Sequence, residues 1–355
     1  MNGITDIRMT AQQLTVPQFD QVRELVSWMG AVQAQDYTMV KWALGMRLKS
    51  ADIKKVEDAL SKGEILRTHV MRPTWHIVAA EDIRWMSALS AKKIQSGMAS
   101  WGKGFELSEE LYSKTNDLII KILEGNESLT KKEIGEEFEK LTNGKLTADD
   151  PRLSLFLSRA ETEGIVCSGI DRGRYQTYAL IDERVPPTPP ITKDEALAKL
   201  ALSYFRSHSP ATLEDFIWWS GLSITEAKHS IHLIHDKLIS EKFMDDKLYI
   251  HESYNDISIA EDVFHLLPPY DEYLISYKSR THCLPLHHYP KAFTNYGIFY
   301  PVILHNGIIV GNWKKINSKG KTTIETDFFE KKTKVKKALI NKAVQKHISF
   351  LQSSR

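Results

Sequence analysis

One arrangement recurs along this chain and limits its fold: helical segments followed by a pair of short strands. In the first copy, apolar residues at helical spacing run from Phe19 to Met29, and two further helical segments follow. The stretches 65–69 and 75–79 then read as two strands. Three helices followed by a two-stranded ribbon is the order of a winged-helix module, which we predict for residues 1–108.

The second copy is the clearest and predicts a module at residues 109–185. A helix over about 109–123 precedes Thr130-Lys131-Lys132-Glu133, which is a capping box and opens the next helix. Asp150-Pro151 predicts the start of a third helix, because proline is favoured in a first helical turn. Strands are expected on both sides of a turn at 171–174.

The third copy follows a proline-rich linker and predicts a module at residues 186–256. Beyond about residue 257 the pattern changes to strands, among them 273–277, and Asn306-Gly307 signals a tight hairpin. A β-barrel-like domain with a C-terminal helix is therefore expected at 257–355. The predicted fold class is helix-rich α+β, with three tandem winged-helix modules before a small barrel-like domain.

Composition restricts the kind of protein. Hydrophobic residues make up 42% of the 355 residues and charged residues 26%, as in soluble globular proteins. The net charge is only +2, so any nucleic-acid surface must be a local patch. Cys167 and Cys283 match no metal-ligand spacing, and we expect no bound metal. No segment has the pattern of a signal peptide or membrane span, so a cytoplasmic protein is expected.

Two carboxamides and a carboxylate stand together where the first apolar helix ends, in Gln33-Ala34-Gln35-Asp36. Residues two apart point to different sides of a helix, whereas extended or turn backbone lets them converge. Converging amide oxygens can hold a water molecule. Residues 30–36, which contain these side chains and which we call the polar knot, are therefore a candidate reaction site. Taken alone, such a pair is more often ordinary solvated sequence.

Five motifs follow one another over about residues 15–315. They read Val32-Gln33-Ala34-Gln35, Leu66-Arg67-Thr68-His69-Val70-Met71-Arg72-Pro73-Thr74-Trp75-His76, Phe216-Ile217-Trp218-Trp219-Ser220-Gly221, Leu266-Leu267-Pro268-Pro269-Tyr270-Asp271-Glu272-Tyr273 and Gly307-Ile308-Ile309-Val310-Gly311-Asn312-Trp313. In this order they resemble the AlkZ/YcaQ-like family of winged-helix DNA glycosylases. The Gln-aliphatic-Gln form of the first motif is similar to the branch that includes the azinomycin-resistance enzyme.

The resemblance implies three tandem winged helices and a β-barrel that form a concave surface for double-stranded DNA. It implies hydrolysis of the N-glycosidic bond of cationic or bulky N7-alkylguanine, including crosslinked purines, and we expect no cofactor. The family's catalytic glutamines map onto Gln33 and Gln35. Asp36 is the next candidate, because a carboxylate could stabilise an oxocarbenium ion or act as a general base.

Basic residues of the first ribbon are candidate DNA contacts. Arg67 and His69 share a strand face by the two-residue period, and Arg72 lies on the connection between the strands. They could contact phosphates that flank a lesion, or they could be ordinary charges on an exposed ribbon edge. The sequence leaves both interpretations open.

Four arginines of the second module extend this candidate surface. Arg152 and Arg159 lie seven residues apart on one helix face, and Arg172 and Arg174 flank the tip of the ribbon. Arg159 could equally pair with Glu163. One chain would supply the whole surface, so a monomer is expected. The alternative to a glycosylase is a non-catalytic winged-helix DNA-binding protein, because this fold does not by itself imply catalysis.

Overall fold

A computed structural model of the protein describes residues 3–125, 127–173, 175–243, 246–254, 262–318 and 321–353. It divides the chain into two compact units. The first unit combines residues 1–57 with residues 197–355, and the second unit holds residues 58–196. Helices cover more of the chain than strands, so the fold is mixed and helix-rich, as the sequence predicts. The four predicted domain ranges stay predictions.

The helices alternate along the chain with short strands. In chain order the α-helices are α1 (Ile4–Ala11), α2 (Val22–Met29), α3 (Tyr37–Gly45), α4 (Ile53–Ser61), α5 (Ile83–Met98), α6 (Glu109–Leu123), α7 (Lys131–Leu141), α8 (Leu153–Thr162), α9 (Ile181–Arg184), α10 (Lys193–His208), α11 (Leu213–Ser220), α12 (Ile224–Leu233), α13 (Glu272–Ile275), α14 (Tyr289–Ala292) and α15 (Lys337–Gln352). The strands are β1 (Val32–Gln33), β2 (Ile65–His69), β3 (Trp75–Ala79), β4 (Leu129–Thr130), β5 (Val166–Ser168), β6 (Thr177–Leu180), β7 (Leu238–Phe243), β8 (Asp246–His251), β9 (Phe264–Leu267), β10 (Val302–His305), β11 (Ile308–Ser318) and β12 (Lys321–Phe328).

Side-chain capping explains where several helices begin. The predicted capping box of Thr130 with Glu133 is present at the start of α7. A second box opens α12, where the Ser223 hydroxyl accepts the backbone N–H of Glu226. These contacts satisfy N–H groups that have no partner within the helix, so the local sequence fixes both helix starts.

The second unit contains a β-hairpin and a three-stranded sheet. Strands β2 and β3 are antiparallel, with Ile65 opposite Ala79, and both match their predicted limits. Strands β4, β6 and β5 form the sheet in that order. Helices α6, α7 and α8 share a hydrophobic core with this sheet, and Phe138 and Phe156 are buried in it.

The first unit contains an antiparallel sheet with the strand order β12-β11-β10-β9. The predicted turn at Asn306-Gly307 joins β10 to β11, and both residues have positive φ, at 46° and 80°. Helix α15 packs against β9, and Trp42, Trp313 and Phe350 contribute to the shared core. Within the described residues β9 and β12 remain sheet edges, so the sheet of the predicted barrel-like domain does not close there.

The predicted strand at 273–277 is wrong. Residues Glu272–Ile275 form the short helix α13, because the Asp271 carboxylate caps its start by accepting the Tyr273 N–H at 2.9 Å. The aromatic and β-branched composition of this stretch favours a strand, but the cap and the surrounding core override that preference.

Candidate active site and DNA contacts

The polar knot starts at Gly30, where α2 ends. Gly30 has a φ of +77°, and a Cβ built there would lie 2.9 Å from the Cβ of Ser203. Only glycine fits both the backbone conformation and the close approach. The chain then runs extended through Val32 and Gln33 in β1, so the glutamines do not lie on a helix, as expected.

The two glutamine side chains of the knot have different surroundings. Gln33 is only 5% exposed, and its Oε1 accepts the backbone N–H of Gln35 at 3.0 Å. The side chain of Gln35 is exposed. The Gln33 amide therefore shapes the turn, whereas the Gln35 amide reaches solvent and is available to a substrate.

Asp36 lies at the solvent-facing edge of the knot and is half-buried. Its Oδ1 caps α3 by accepting the Met39 N–H at 3.0 Å. Burial raises the pKa of the Tyr270 phenol, and the nearby Asp36 charge raises it further. Tyr270 is held in the left-handed region with a φ of +59°, a conformation rarely adopted by bulky residues. The Tyr270 phenol thus lies near the Asp36 carboxylate, which with the Gln35 amide forms the open side of the knot.

Behind the knot lies a buried carboxylate, Glu272. Its Oε1 accepts the Gln33 N–H at 2.5 Å, its Oε2 accepts the Ser276 hydroxyl, and Nε2 of His208 lies 3.5 Å from Oε2. Burial would raise the pKa of Glu272, but His208 and the hydrogen bonds from Ser276 and Gln33 lower it to about 2. Burial also lowers the pKa of His208. The hydrogen bonds from Ser276 and Gln33 favour the ionised form of Glu272 whichever protonation state His208 has.

A buried ion pair supports the helix that carries Glu272. Nη2 and Nη1 of Arg47 lie 2.7 Å and 2.9 Å from the two carboxylate oxygens of Asp271, and both side chains are 1% exposed. Arg47 also donates to the backbone carbonyls of Gln12 and Ala43. Because Asp271 caps α13, this pair fixes the position of the next residue, Glu272.

Two of the predicted phosphate-binding arginines are paired with carboxylates. Nη2 of Arg152 lies 2.8 Å from Oδ2 of Asp150, and Nη1 of Arg172 lies 2.6 Å from Oε1 of Glu133. Arg174 lies outside the described residues. A DNA phosphate would therefore have to compete with a carboxylate for the guanidinium group of Arg152 and for that of Arg172.

Arg159 has a similar arrangement. It forms an ion pair with Glu163, the alternative that the sequence left open, and its Nη2 lies 2.5 Å from Oε2 of Glu109. Its guanidinium group also lies 4.8 Å from the centre of the Tyr112 ring. Phosphate binding by Arg159 stays a prediction.

The first-ribbon residues lie deeper in the second unit than an exposed edge would allow. Arg67 is 6% exposed, and its guanidinium carbon lies 4.2 Å from the centre of the Trp75 ring. Nδ1 of His69 lies 2.9 Å from a carboxylate oxygen of buried Glu161. Arg72 is half-buried. Phosphate contact stays a prediction for all three residues, and Arg72 is the most accessible.

Comparison with known proteins assigns the chain to a family. A sequence profile of the family described as DNA glycosylase AlkZ-like matches residues 26–350. The chain belongs to the AlkZ-like DNA glycosylase family. Members of this family are hydrolases of N-glycosyl bonds, so the protein is an enzyme of that class.

Two comparisons with *Streptomyces sahachiroi* proteins agree with the AlkZ-like assignment. The interstrand DNA cross-link repair glycosylase is 21% identical over 327 residues, which cover 87% of this chain and 86% of that protein. The solved structure of DNA glycosylase AlkZ has a TM-score of 0.80 at 18% identity, covering 99% of this chain and 96% of that chain. This second likeness establishes the fold.

The knot is supported by three buried residues of the first unit to which the sequence analysis gives no role, Glu272, His208 and Arg47, although Glu272 stands in the fourth family motif. Glu272 and His208 are far from Gln33 in sequence, and Arg47 follows the next helix, α3. One signal was available: Asp271 and Glu272 interrupt an otherwise apolar segment. Buried carboxylates need partners, so adjacent acidic residues in such a segment indicate a polar network.

One cluster of side chains has the composition of a metal site. Among the described residues, His287, His288 and Glu330 bring possible ligand atoms within 4.8 Å of one another. Cys283 is not part of this group; it is buried, and burial raises the pKa of its thiol to about 11.

No described helix combines the length and apolar composition needed to cross a lipid bilayer.

Proposed function

We propose that this protein is a monofunctional DNA glycosylase that hydrolyses the N-glycosidic bond of N7-alkylated guanine or crosslinked purines in double-stranded DNA. Gln33 and Gln35 position the attacking water. The observation that carries the proposal is the knot itself: family membership accompanies a non-helical Gln-Ala-Gln segment, whose second amide is exposed beside a half-buried carboxylate.

The chemistry requires a positioned water more than a strong base. An N7-alkylated guanine is cationic and leaves as a neutral base, so positive charge develops on the sugar. A water held by amide oxygens near the anomeric carbon forms the new C–O bond as the C–N bond to the base breaks, and its surplus proton passes to the surrounding water. Correct placement of this water supplies most of the effect. The Gln33 oxygen already accepts one N–H, so it offers its remaining lone pair, and Gln35 supplies the exposed amide.

Asp36 has a second role in this proposal. One carboxylate oxygen caps α3, which leaves the other to face the positive charge of the sugar. No lysine occurs between residues 30 and 40, so the knot offers no amine for a Schiff-base lyase reaction. The expected product is an intact strand with an abasic site.

DNA binding by three tandem winged-helix modules is part of the same proposal. The arginines at 152, 159 and 172 would exchange their carboxylate partners for phosphates, assisted by Arg67, His69 and Arg72 and by Arg174. The Streptomyces relative is an interstrand DNA cross-link repair glycosylase, which supports crosslinked purines as one substrate class.

The test is base release from a duplex that contains one 7-methylguanine. After incubation with the protein, alkali and heat convert each abasic site into a strand break, which is counted on a gel. Gln35→Ala should lower the rate of break formation by about 10²-fold and leave DNA affinity unchanged, since positioning errors cost about that much. Thr38→Ala, an exposed change in the first turn of α3, is the matched control and should retain the wild-type rate.

The same assay separates the alternative function. A non-catalytic DNA-binding protein would bind the duplex with and without the lesion and would produce no alkali-sensitive sites. That result with folded wild-type protein would contradict the proposed glycosylase.

A further inference from the structure

The most unusual contact of the knot is a backbone N–H facing a fully buried negative charge. The N–H of Gln33 points at Oε1 of Glu272, 239 residues later in the chain, at 2.5 Å. Glu272 is 2% exposed, so no bulk water competes for this oxygen. Charge-assisted hydrogen bonds of this kind are short and roughly twice as strong as neutral ones.

We infer that Glu272 is a positioning residue of the glycosylase, which holds Gln33 and, through it, Gln35 in the geometry needed for base release. The inference rests on the proposed function and extends it to a residue outside the Gln-Ala-Gln motif. Glu272 fixes the backbone of Gln33, and the Gln33 amide oxygen in turn fixes the backbone of Gln35 at 3.0 Å. A displacement at Glu272 is therefore transmitted through two successive hydrogen bonds to the exposed amide.

Glu272 is itself held from several directions. Ser276 donates its hydroxyl to Oε2, and His208 lies 3.5 Å from the same oxygen. The start of α13 is fixed by Asp271, which is paired with Arg47. The carboxylate therefore has little freedom to move, which is the property needed to set a reaction geometry.

Glu272 does not act on the substrate directly. Its two oxygens are occupied by protein donors, and the side chain is shielded from solvent by the knot and by α13. A general acid or base needs hydrogen-bond access to the reacting group, directly or through one water. Glu272 lacks that access, whereas Gln35 and Asp36 have it.

The decisive variant is Glu272→Gln, which keeps the size of the side chain and removes its charge. The amide oxygen can still accept one hydrogen bond, so the protein is expected to fold, but the charge-assisted contact to Gln33 is lost. Single-turnover release of 7-methylguanine at saturating enzyme should fall by about 10- to 100-fold. The dissociation constant for the same duplex should change by less than about threefold, because no DNA contact is removed.

Two further variants keep the experiment informative. Ser276→Ala removes the other donor to Glu272 but leaves the Gln33 contact, so its rate should fall by less than that of Glu272→Gln. Glu272→Asp keeps a buried carboxylate but is one methylene shorter, which withdraws its oxygens from the Gln33 N–H. It should therefore show the slow rate even if Glu272→Gln does not fold.

Amide hydrogen exchange of Gln33 and Gln35 gives a readout that does not depend on activity. Both amides should exchange at least tenfold faster in Glu272→Gln, while amides in the core of α6 stay unchanged. A wild-type rate in folded Glu272→Gln or Glu272→Asp would overturn the inference, and so would unchanged exchange at Gln33. If wild-type protein releases no base, the proposed function fails, and the exchange measurement alone decides whether Glu272 holds the knot.

Discussion

Replacing Arg47 by methionine tests the buried frame that supports the knot. The change removes both guanidinium contacts to Asp271, at 2.7 Å and 2.9 Å, and leaves that buried carboxylate with the Tyr273 N–H as its remaining donor. Two charge-assisted hydrogen bonds at about 1.5–3 kcal/mol each give about 3–6 kcal/mol. Measured losses for one partner of a buried ion pair are about 3–5 kcal/mol. We therefore expect Arg47→Met to lower the free energy of unfolding by about 3–5 kcal/mol.

Unfolding is induced with guanidinium chloride and followed by amide hydrogen exchange in peptides that contain α3 and α13. These peptides report the free energy of unfolding of the first compact unit separately from that of the second. The control is Lys49→Met, which breaks an exposed 3.0 Å pair with Asp20 and should cost less than about 1 kcal/mol. Adding Asp271→Leu to Arg47→Met should recover part of the loss, because the unpaired charge is then gone. A loss below about 1 kcal/mol for Arg47→Met would refute the claim that this pair stabilises the unit.

Three further outcomes follow from the same structure. Gly30→Ala should lower the free energy of unfolding by about 2–4 kcal/mol in guanidinium titrations, because positive φ and the 2.9 Å approach to Ser203 both oppose a Cβ; a change below about 0.5 kcal/mol would contradict this. Burial lowers the pKa of His265 and of His347 to about 4, from 6.5 in the unfolded chain. The free energy of unfolding should therefore fall as the pH drops from about 6.5 to 4, and His265→Gln should flatten this pH dependence in thermal unfolding curves. Arg172→Ala should reduce the slope of log affinity for DNA against log salt by about 0.9, with no such change if Arg172 keeps Glu133 in the complex.

Local sequence signals predicted the elements whose causes are local. The capping box at Thr130 and Glu133, the hairpin signal at Asn306-Gly307 and the helix over 109–123 were all confirmed. Each depends on residues within a few positions of one another, so the chain alone carries the information.

Errors occurred where distant or competing contacts decide the structure. Pro151 is predicted to open a helix, but α8 begins at Leu153. The Asp150 carboxylate accepts both the backbone N–H and the guanidinium N–H of Arg152, and these contacts hold Pro151 in a turn. Helix α1 was not predicted at all. Its Arg8 side chain is buried against residues more than 200 positions away, including Pro210.

In the candidate site, too, the features with local causes could be predicted from the sequence, and those that depend on tertiary contacts could not. The sequence predicts that the Gln33–Gln35 segment lies outside a helix, because residues two apart converge only in extended or turn backbone, and the structure confirms it. The unequal exposure of the two amides and the carboxylate behind them were not, since Glu272 reaches Gln33 only through the fold. Likewise, the arginines were recognised as basic residues, but their pairing with Asp150, Glu133 and Glu109 depends on tertiary structure.

The most direct test of the central claim is a double-mutant cycle at the knot, measured as single-turnover release of 7-methylguanine with saturating enzyme. If Gln33 and Gln35 hold one water together, Gln33→Ala and Gln35→Ala should each lower the rate by about 10²-fold. The double variant should be little slower than the slower single variant, because residues that act as a unit are not additive. Single variants within twofold of the wild-type rate would contradict the account, as would two losses that simply multiply.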